Sequence, residues 1–325
     1  MQKNDKKDLR SIRTLKSPGS WFGAIMLMLF LGMTGCASTR PGPSEAAKPI
    51  PLPAYQEGTT FVYTNGRWET IEKAGPEGVT WRNHSGHQST GSADFTYRHA
   101  AWETRTRSGQ RSFRARRDWL GNPVATTLWP LAPGKTARYI ESGRWQDETG
   151  KVHTYESQWR LEVTGQSRIN VKAGEFDVWE IVARRFSGGG AYNKSRLREI
   201  RTWYYAPVVG HYVRMDRHFS GRRPNRSIEL VAVTPPVKGM PAAAKNKVQT
   251  IFQQALEGKR SGTVQRWQLA QHALSGAVTP VATFRLKNGT YCRQYIQKLS
   301  RAGEETDFYG LACRTEAGDW EIPRR

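Results

Sequence analysis

The sequence predicts a mainly β protein: a large curved antiparallel sheet domain followed by a small disulfide-stapled β-rich domain with one short helix. Three observations carry that reading. Phe61-Val62-Tyr63-Thr64, Asn65-Gly66 and Arg67-Trp68-Glu69-Thr70 read as strand, turn and strand; Asn-Gly in that setting signals a type I′ turn, whose two central residues both take positive φ. Tyr155, Ser157, Trp159, Leu161 and Val163 alternate with Glu156, Gln158, Arg160 and Glu162, the period-two pattern of a strand with one wet face. Turn chemistry recurs at Asp147-Glu148-Thr149-Gly150, Ser187-Gly188-Gly189-Gly190 and Gly221-Arg222-Arg223-Pro224. No helical periodicity intervenes, so the strands are expected to pair as one antiparallel sheet.

At the N-terminus, Lys3, Lys6, Lys7, Arg10, Arg13 and Lys16 precede an apolar run from Trp21 to Met33. That run has the length of a signal-peptide core and falls short of the ~20 residues a membrane helix needs. It ends in Leu31-Gly32-Met33-Thr34-Gly35-Cys36, which resembles the bacterial lipobox, with Met33 where leucine is usual. The resemblance implies cleavage of residues 1–35, lipid on Cys36 and attachment to a membrane. Ala37 and Ser38 after the cysteine resemble the signal that sends lipoproteins of two-membraned bacteria to the outer membrane. Residues 36–54, rich in Pro, Ala and Ser, read as a solvated tether that spans on the order of 50 Å when extended.

Residues 55–233 form the expected large domain. Trp179, Ile181 and Ala183 make a second inward-facing set, and Val213 with Met215 a third. A membrane barrel is rejected because Arg184, Arg185, Arg196, Arg198 and Arg201 interrupt the best strands, and each would cost ~2–4 kcal/mol at the bilayer midplane. Residues 234–247, rich in Pro and Ala, are expected as a linker. In residues 248–325, Val248, Ile251, Phe252, Ala255 and Leu256 recur at helical spacing before Gly258. A small β-unit follows, with a hairpin at Asn288-Gly289, a strand from Phe308 to Arg314, and a last turn before Trp320.

The chain has three cysteines. With Cys36 carrying lipid, Cys292 and Cys313 remain as one pair on the oxidising side of the membrane, where disulfides persist. Arg293 and Arg314 follow these cysteines directly. They are candidate anion contacts flanking the bridge, or charges that merely solvate it.

Two resemblances follow from longer strings. Gly262-Thr263-Val264-Gln265-Arg266-Trp267, Tyr291-Cys292-Arg293-Gln294-Tyr295, Tyr309-Gly310-Leu311-Ala312-Cys313-Arg314 and Gly318-Asp319-Trp320 resemble the C-terminal module of the rickettsial seventeen-kilodalton surface antigen family. That implies an envelope lipoprotein with a β-rich end module and no known catalysis. The glycine-zipper segment usual in those antigens is not seen here. Val171-Lys172-Ala173-Gly174-Glu175-Phe176-Asp177-Val178 and Thr202-Trp203-Tyr204-Tyr205-Ala206-Pro207-Val208-Val209-Gly210-His211 resemble periplasmic curved-sheet, clamshell-like proteins. Either a cavity or a filled core would suit such a sheet.

Catalytic signals are scarce. Residues 187–195 are Gly-rich but lack the Gly before the Lys and a following helix, so they read as a hairpin tip and not a phosphate loop. His84, His87, Asp94 and His99 are near in sequence without metal-site spacing, so no metal and no cofactor is expected. The net charge is +22, and loss of residues 1–35, with six basic and two acidic side chains, leaves +18. Such an excess draws a protein toward lipopolysaccharide, anionic phospholipid, peptidoglycan or acidic envelope proteins. Nucleic acid is not expected as a partner of an exported, tethered chain. The expectation is a non-enzymatic, lipid-anchored outer-membrane envelope protein; the alternatives are a carrier holding an apolar ligand in the curved sheet and an envelope hydrolase.

Overall fold

A computed structural model of the chain describes residues 48–99, 101–105, 112–119, 128–147, 149–187, 196–236 and 240–323. Cys36, the lipobox and the Gly-rich segment 188–195 lie outside the described residues. The strands are β1 (Thr60–Tyr63), β2 (Trp68–Gly75), β3 (Gly78–Asn83), β4 (Gln88–Gly91), β5 (Ala101–Arg105), β6 (Ser112–Trp119), β7 (Thr136–Gln146), β8 (Val152–Val171) and β9 (Gly174–Ser187). They continue with β10 (Arg196–Ala206), β11 (His211–Phe219), β12 (Arg226–Thr234), β13 (Gln265–Leu269), β14 (Leu274–Arg285), β15 (Tyr291–Arg301), β16 (Glu304–Arg314) and β17 (Trp320–Glu321). A 3₁₀ turn spans Phe95–Tyr97, and the helix α1 spans Ala242–Gly258. All strand pairings are antiparallel, and the strands join into one sheet.

Turns place the hairpins. At Asn65-Gly66, the Tyr63 N–H donates to the Arg67 carbonyl (2.9 Å) and the Gly66 N–H to the Tyr63 carbonyl (3.0 Å). Gly66 alone takes positive φ, at 76°. The expected type I′ turn is therefore replaced by a three-residue loop with glycine in the left-handed position. The reason is local: Asn65 Oδ1 accepts from the Arg67 N–H at 3.1 Å, a bond its side chain makes without positive φ. The same pair of backbone bonds closes the loops from Asn83 to His87, Asp147 to Lys151, Leu286 to Thr290 and Thr315 to Asp319, each with its glycine at positive φ.

Strands β5 to β12 run as an unbroken meander, each paired to the next. The alternation set in the sequence is realised here: Ser157, Trp159, Leu161 and Val163 are buried, as are Ile181, Ala183 and Val213. The core-facing side of this sheet is filled near the 3₁₀ turn. Phe95 packs against Trp129, Trp203, Tyr205 and Tyr212, and Tyr97 packs edge-on against Tyr139.

Helix α1 begins at Ala242, inside the segment expected as a linker, because three consecutive alanines after Pro241 are strong helix formers with proline just outside the first turn. Ala244, Val248, Ile251, Phe252, Ala255 and Leu256 are its buried face. Residues 46–325 form one compact unit, so segments 55–233 and 248–325 share a single core instead of meeting across a flexible linker. Its hydrophobic cluster runs from Phe61 and Trp159 to Phe252, Tyr295 and Trp320. The β8–β9 hairpin helps to join them: Phe176 meets Tyr309 edge-on, and Gln294 Nε2 donates to the Val171 carbonyl at 3.4 Å.

Cys292 and Cys313 stand directly opposite each other on β15 and β16 and are disulfide-bonded. Cys292 is buried in a second small cluster with Val62, Val231, Ala232 and Leu311. The cross-link spans 21 residues of sequence. Restricting the unfolded chain over such a loop stabilises the fold by about 3 kcal/mol. Replacing both residues, Cys292→Ser with Cys313→Ser, is expected to lower the unfolding free energy by about that amount; denaturant titration of the oxidised parent against the double variant checks it.

Candidate functional site

The inward set Trp179, Ile181 and Ala183 continues by period two to Arg185, and this places a guanidinium on the core-facing side of the sheet. Its cross-strand neighbours are Trp159 on β8 and Glu199 on β10. One row further along, Ala183 stands opposite Arg201, which stands opposite Arg217 on β11. Two further rows add Arg117 opposite Glu141 and Tyr139 opposite Trp159. The apolar core thus ends in a band of arginines and aromatics carried by six consecutive strands.

Glu199 is the centre of the band, with its side chain 1% exposed. One oxygen, Oε1, accepts from Arg217 Nε at 2.8 Å and from Arg201 Nη2 at 2.9 Å. Arg185 Nε lies 3.7 Å from the other oxygen, beyond hydrogen-bond reach. One carboxylate therefore serves three cations. Burial alone would raise the Glu199 carboxyl, but Arg201 and Arg217 outweigh it and hold the group below its usual range. Burial pulls the Arg201 guanidinium down, with Arg217 adding to that and Glu199 opposing it.

Aromatic faces support the cations. Arg201 lies 5.0 Å from the centre of the Trp159 ring and 5.3 Å from that of Trp203. Arg185 lies 5.8 Å from the Trp159 ring, and Arg217 5.0 Å from Phe219. Such contacts contribute about 0.5–2 kcal/mol each depending on solvation. Tyr155 closes one side: its hydroxyl donates to Glu141 Oε1 at 3.3 Å, and Glu141 Oε2 accepts from Arg117 Nε at 3.0 Å. Gly143 stands directly opposite Tyr155. A Cβ there would come within 2.3 Å of the tyrosine ring, so only glycine lets Tyr155 lie flat across the strand.

Two buried donors in this band have no acceptor among the described residues: Trp159 Nε1 and Arg185 Nε. Buried N–H groups are rarely left unpaired.

A second polar group sits deeper. His211 is fully buried among the rings of Tyr55, Phe61, Trp81 and Phe95. A 2.8 Å hydrogen bond joins its Nδ1 to the Tyr55 hydroxyl. Burial, reinforced by Arg98, pushes the imidazole well below its ordinary pKa, so it is neutral at pH 7. This is a latch for the N-terminal segment, which is also fixed by the mutual backbone bonds of Ile50 and Leu131.

The residues singled out in the sequence have other fates. Arg293 is buried and donates to the carbonyls of Leu256 (2.5 Å) and Lys259 (2.7 Å). It caps the C-terminal end of α1, where orphan carbonyls favour a cation, and so is not available as an anion contact. Arg314 pairs with Glu257 at 3.0 Å, and the same carboxylate accepts from Trp320 Nε1 at 2.9 Å. Both arginines serve helix docking instead of forming a pair beside the disulfide. His84 and His87 are exposed on the β3–β4 loop, while Asp94 is buried and accepts from Thr96. Among the described residues no three His, Cys, Asp or Glu side chains converge as a metal set.

The arginine band went unrecognised in the sequence, where Arg185 and Arg201 counted against a membrane barrel. Extending the alternation by one step would have placed Arg185 inward. Glu199 and Arg201 likewise continue, by period two, the buried set Trp203 and Tyr205 on β10, a step that the sequence reading did not take.

Residues 254–321 match the family described as 17 kDa outer membrane surface antigen. The 17 kDa surface antigen of Rickettsia felis is 36% identical over 84 residues, covering 26% of this chain and 53% of that protein. That of Rickettsia prowazekii is 39% identical over 70 residues, covering 22% and 44%. The chain thus spans about half the length of the curated relatives it matches. The C-terminal segment resembles that family, and the arginine band lies outside the matched residues. Among solved structures, the hypothetical lipoprotein YmcC from Escherichia coli aligns over 58% of this chain and 90% of its own, at 9% identity and a TM-score of 0.34. An exported protein with a YmcC-like fold from Bacteroides fragilis aligns over 58% and 100%, at 13% identity and a TM-score of 0.31.

The depressed Glu199 carboxyl has a consequence for stability. Its contribution is complete above the ordinary value of 4.5 and is lost as pH falls through the lower folded value. Glu199→Gln is expected to cost about 2 kcal/mol at pH 7, since partial exposure of the arginines softens the penalty for leaving them unpaired. Between pH 5 and pH 3 its thermal midpoint should fall less steeply than that of the parent, as read by circular dichroism at each pH.

Proposed function

We propose that the chain is a non-enzymatic, lipid-anchored protein of the outer membrane that contacts anionic envelope polymers through the arginine band of its meander. The observation that carries this reading is the charge on the band: among the described residues Arg185, Arg201 and Arg217 gather around the single carboxylate of Glu199, beside the Arg117–Glu141 pair. Arginine is the side chain suited to this work, because its planar fork stays charged and matches oxyanion geometry. The surface charge acts at longer range, drawing polyanions toward the molecule before close contact. Placement at the outer membrane is supported by the lipobox-like run ending at Cys36 and by the likeness of residues 254–321 to an outer membrane surface antigen family. Lipopolysaccharide, peptidoglycan and acidic envelope proteins are the partners this charge would meet there.

Two measurements test the reading. Radiolabelled palmitate is expected to enter the parent and not Cys36→Ala; equal labelling would contradict the anchor. The purified chain is expected to sediment with lipopolysaccharide or with isolated sacculi at about 50 mM salt and to be released near 500 mM, where screening shortens to a few ångströms. The double substitution Arg185→Gln with Arg217→Gln should weaken that sedimentation severalfold at low salt, and undiminished binding would contradict the band as the contact.

A further inference from the structure

We propose that Arg185, Arg201 and Arg217 form a receptor for a phosphate monoester, with Glu199 as the fixed counter-charge that holds the three cations in place. The proposal rests on the reading of the arginine band as an anion contact and specifies the anion.

Charge is the first argument. Three guanidinium groups and one carboxylate leave an excess of two positive charges at a place where Glu199 is almost wholly withdrawn from water and the arginine side chains are 21–29% exposed. A monoester carries about −1.5 to −2 at neutral pH and balances that excess; a carboxylate, at −1, leaves a cation uncompensated. Geometry is the second. The guanidinium groups come from three adjacent strands, β9, β10 and β11, and gather around one carboxylate. This suits a tetrahedral group with three terminal oxygens better than a planar one with two.

Unmet donors are the third argument. Arg185 makes no hydrogen bond within the described residues: its nearest carboxylate oxygen is 3.7 Å away and its Nε has no acceptor. The neighbouring Trp159, 2% exposed, also has an unpartnered Nε1. Strand pairing sets these two residues directly opposite each other, with the Arg185 guanidinium 5.8 Å from the Trp159 ring, beside a cation excess. Arg201 and Arg217, by contrast, spend one donor each or more on Glu199 Oε1, which leaves Arg185 as the free arm of the site.

Calorimetric titration of the full chain in neutral detergent tests this with glycerol 3-phosphate and succinate as probes. Glycerol 3-phosphate is expected to bind saturably and at least about tenfold tighter than succinate. Arg185→Gln should weaken glycerol 3-phosphate by about tenfold or more and should lower the thermal midpoint less than Glu199→Gln does, since that side chain makes only a 3.7 Å ion pair with Glu199 and a contact with the Trp159 ring. Glu199→Gln should melt lower than the parent yet be raised further by glycerol 3-phosphate, a gain that a purely structural role for the cluster would not produce. Equal affinity for the two probes, or an Arg185→Gln variant that binds as the parent does, would overturn the proposal. Retained sedimentation with lipopolysaccharide or sacculi alongside no glycerol 3-phosphate binding overturns the monoester receptor alone; loss of both removes the contact reading with it. Vesicles of phosphatidylcholine with and without phosphatidic acid separate the sources. Capture by phosphatidic acid vesicles that is lost in Arg185→Gln assigns the monoester to a lipid headgroup, and binding of glycerol 3-phosphate without vesicle capture assigns it to a soluble or polymer-borne group.

Discussion

Strand β12 is bonded to different partners along its two halves, and the rest of the described chain hangs on that division. Residues Arg226 to Glu229 complete the meander against β11. From Leu230 onward the strand pairs with β1, through a bulge between Val62 and Tyr63. On the way, Ala232 pairs with Gly310 of β16. Leu230, Val231, Ala232 and Val233 are all buried, as expected of a strand covered on both faces. Leu230 and Val233 belong to the main core, and Val231 and Ala232 to the cluster around Cys292. The contact at Gly310 has little room: a Cβ there would meet the Tyr295 hydroxyl at 2.5 Å and the Ala232 Cβ at 3.0 Å.

This junction explains why a charged cluster can persist at the end of the core. Glu199 and its arginines are costly to bury, and replacing such groups by apolar side chains is often neutral or stabilising. Their strands are held from elsewhere, by Trp159, Leu161, Ile181 and Trp203 further along the same rows and by β12 at the meander edge. A cation excess fixed on a rigid sheet is prepared for an anion without rearrangement, whereas lysines on loops would lose rotamer freedom on binding.

Much of the fold could be read in the sequence because its signals are local. The period-two alternation within β8 and within β9, the glycine-bearing loops and the helical spacing from Val248 to Leu256 are each contained in 20 residues or fewer. What escaped reading was non-local. The pairing of Ala232 with Gly310 joins one expected domain to the other across the expected linker, and no propensity announces it. Arg293 looked like a surface charge beside a cysteine because its acceptors, the Leu256 and Lys259 carbonyls, lie 37 and 34 residues away. The arginine band follows two alternations, Arg185 that of Ile181 and Ala183 and Arg201 that of Trp203 and Tyr205, but the cross-strand pairing that brings them around Glu199 is non-local.

The central claim is that the meander and the C-terminal module form one body, which carries the arginine band on a frame locked at β12. Scanning calorimetry of the full chain and of Gly310→Ala tests it most directly. One transition is expected for the parent, with calorimetric and van't Hoff enthalpies equal, and Gly310→Ala should shift that whole transition downward. Two resolved transitions, with Gly310→Ala moving one and leaving the other in place, would contradict the account.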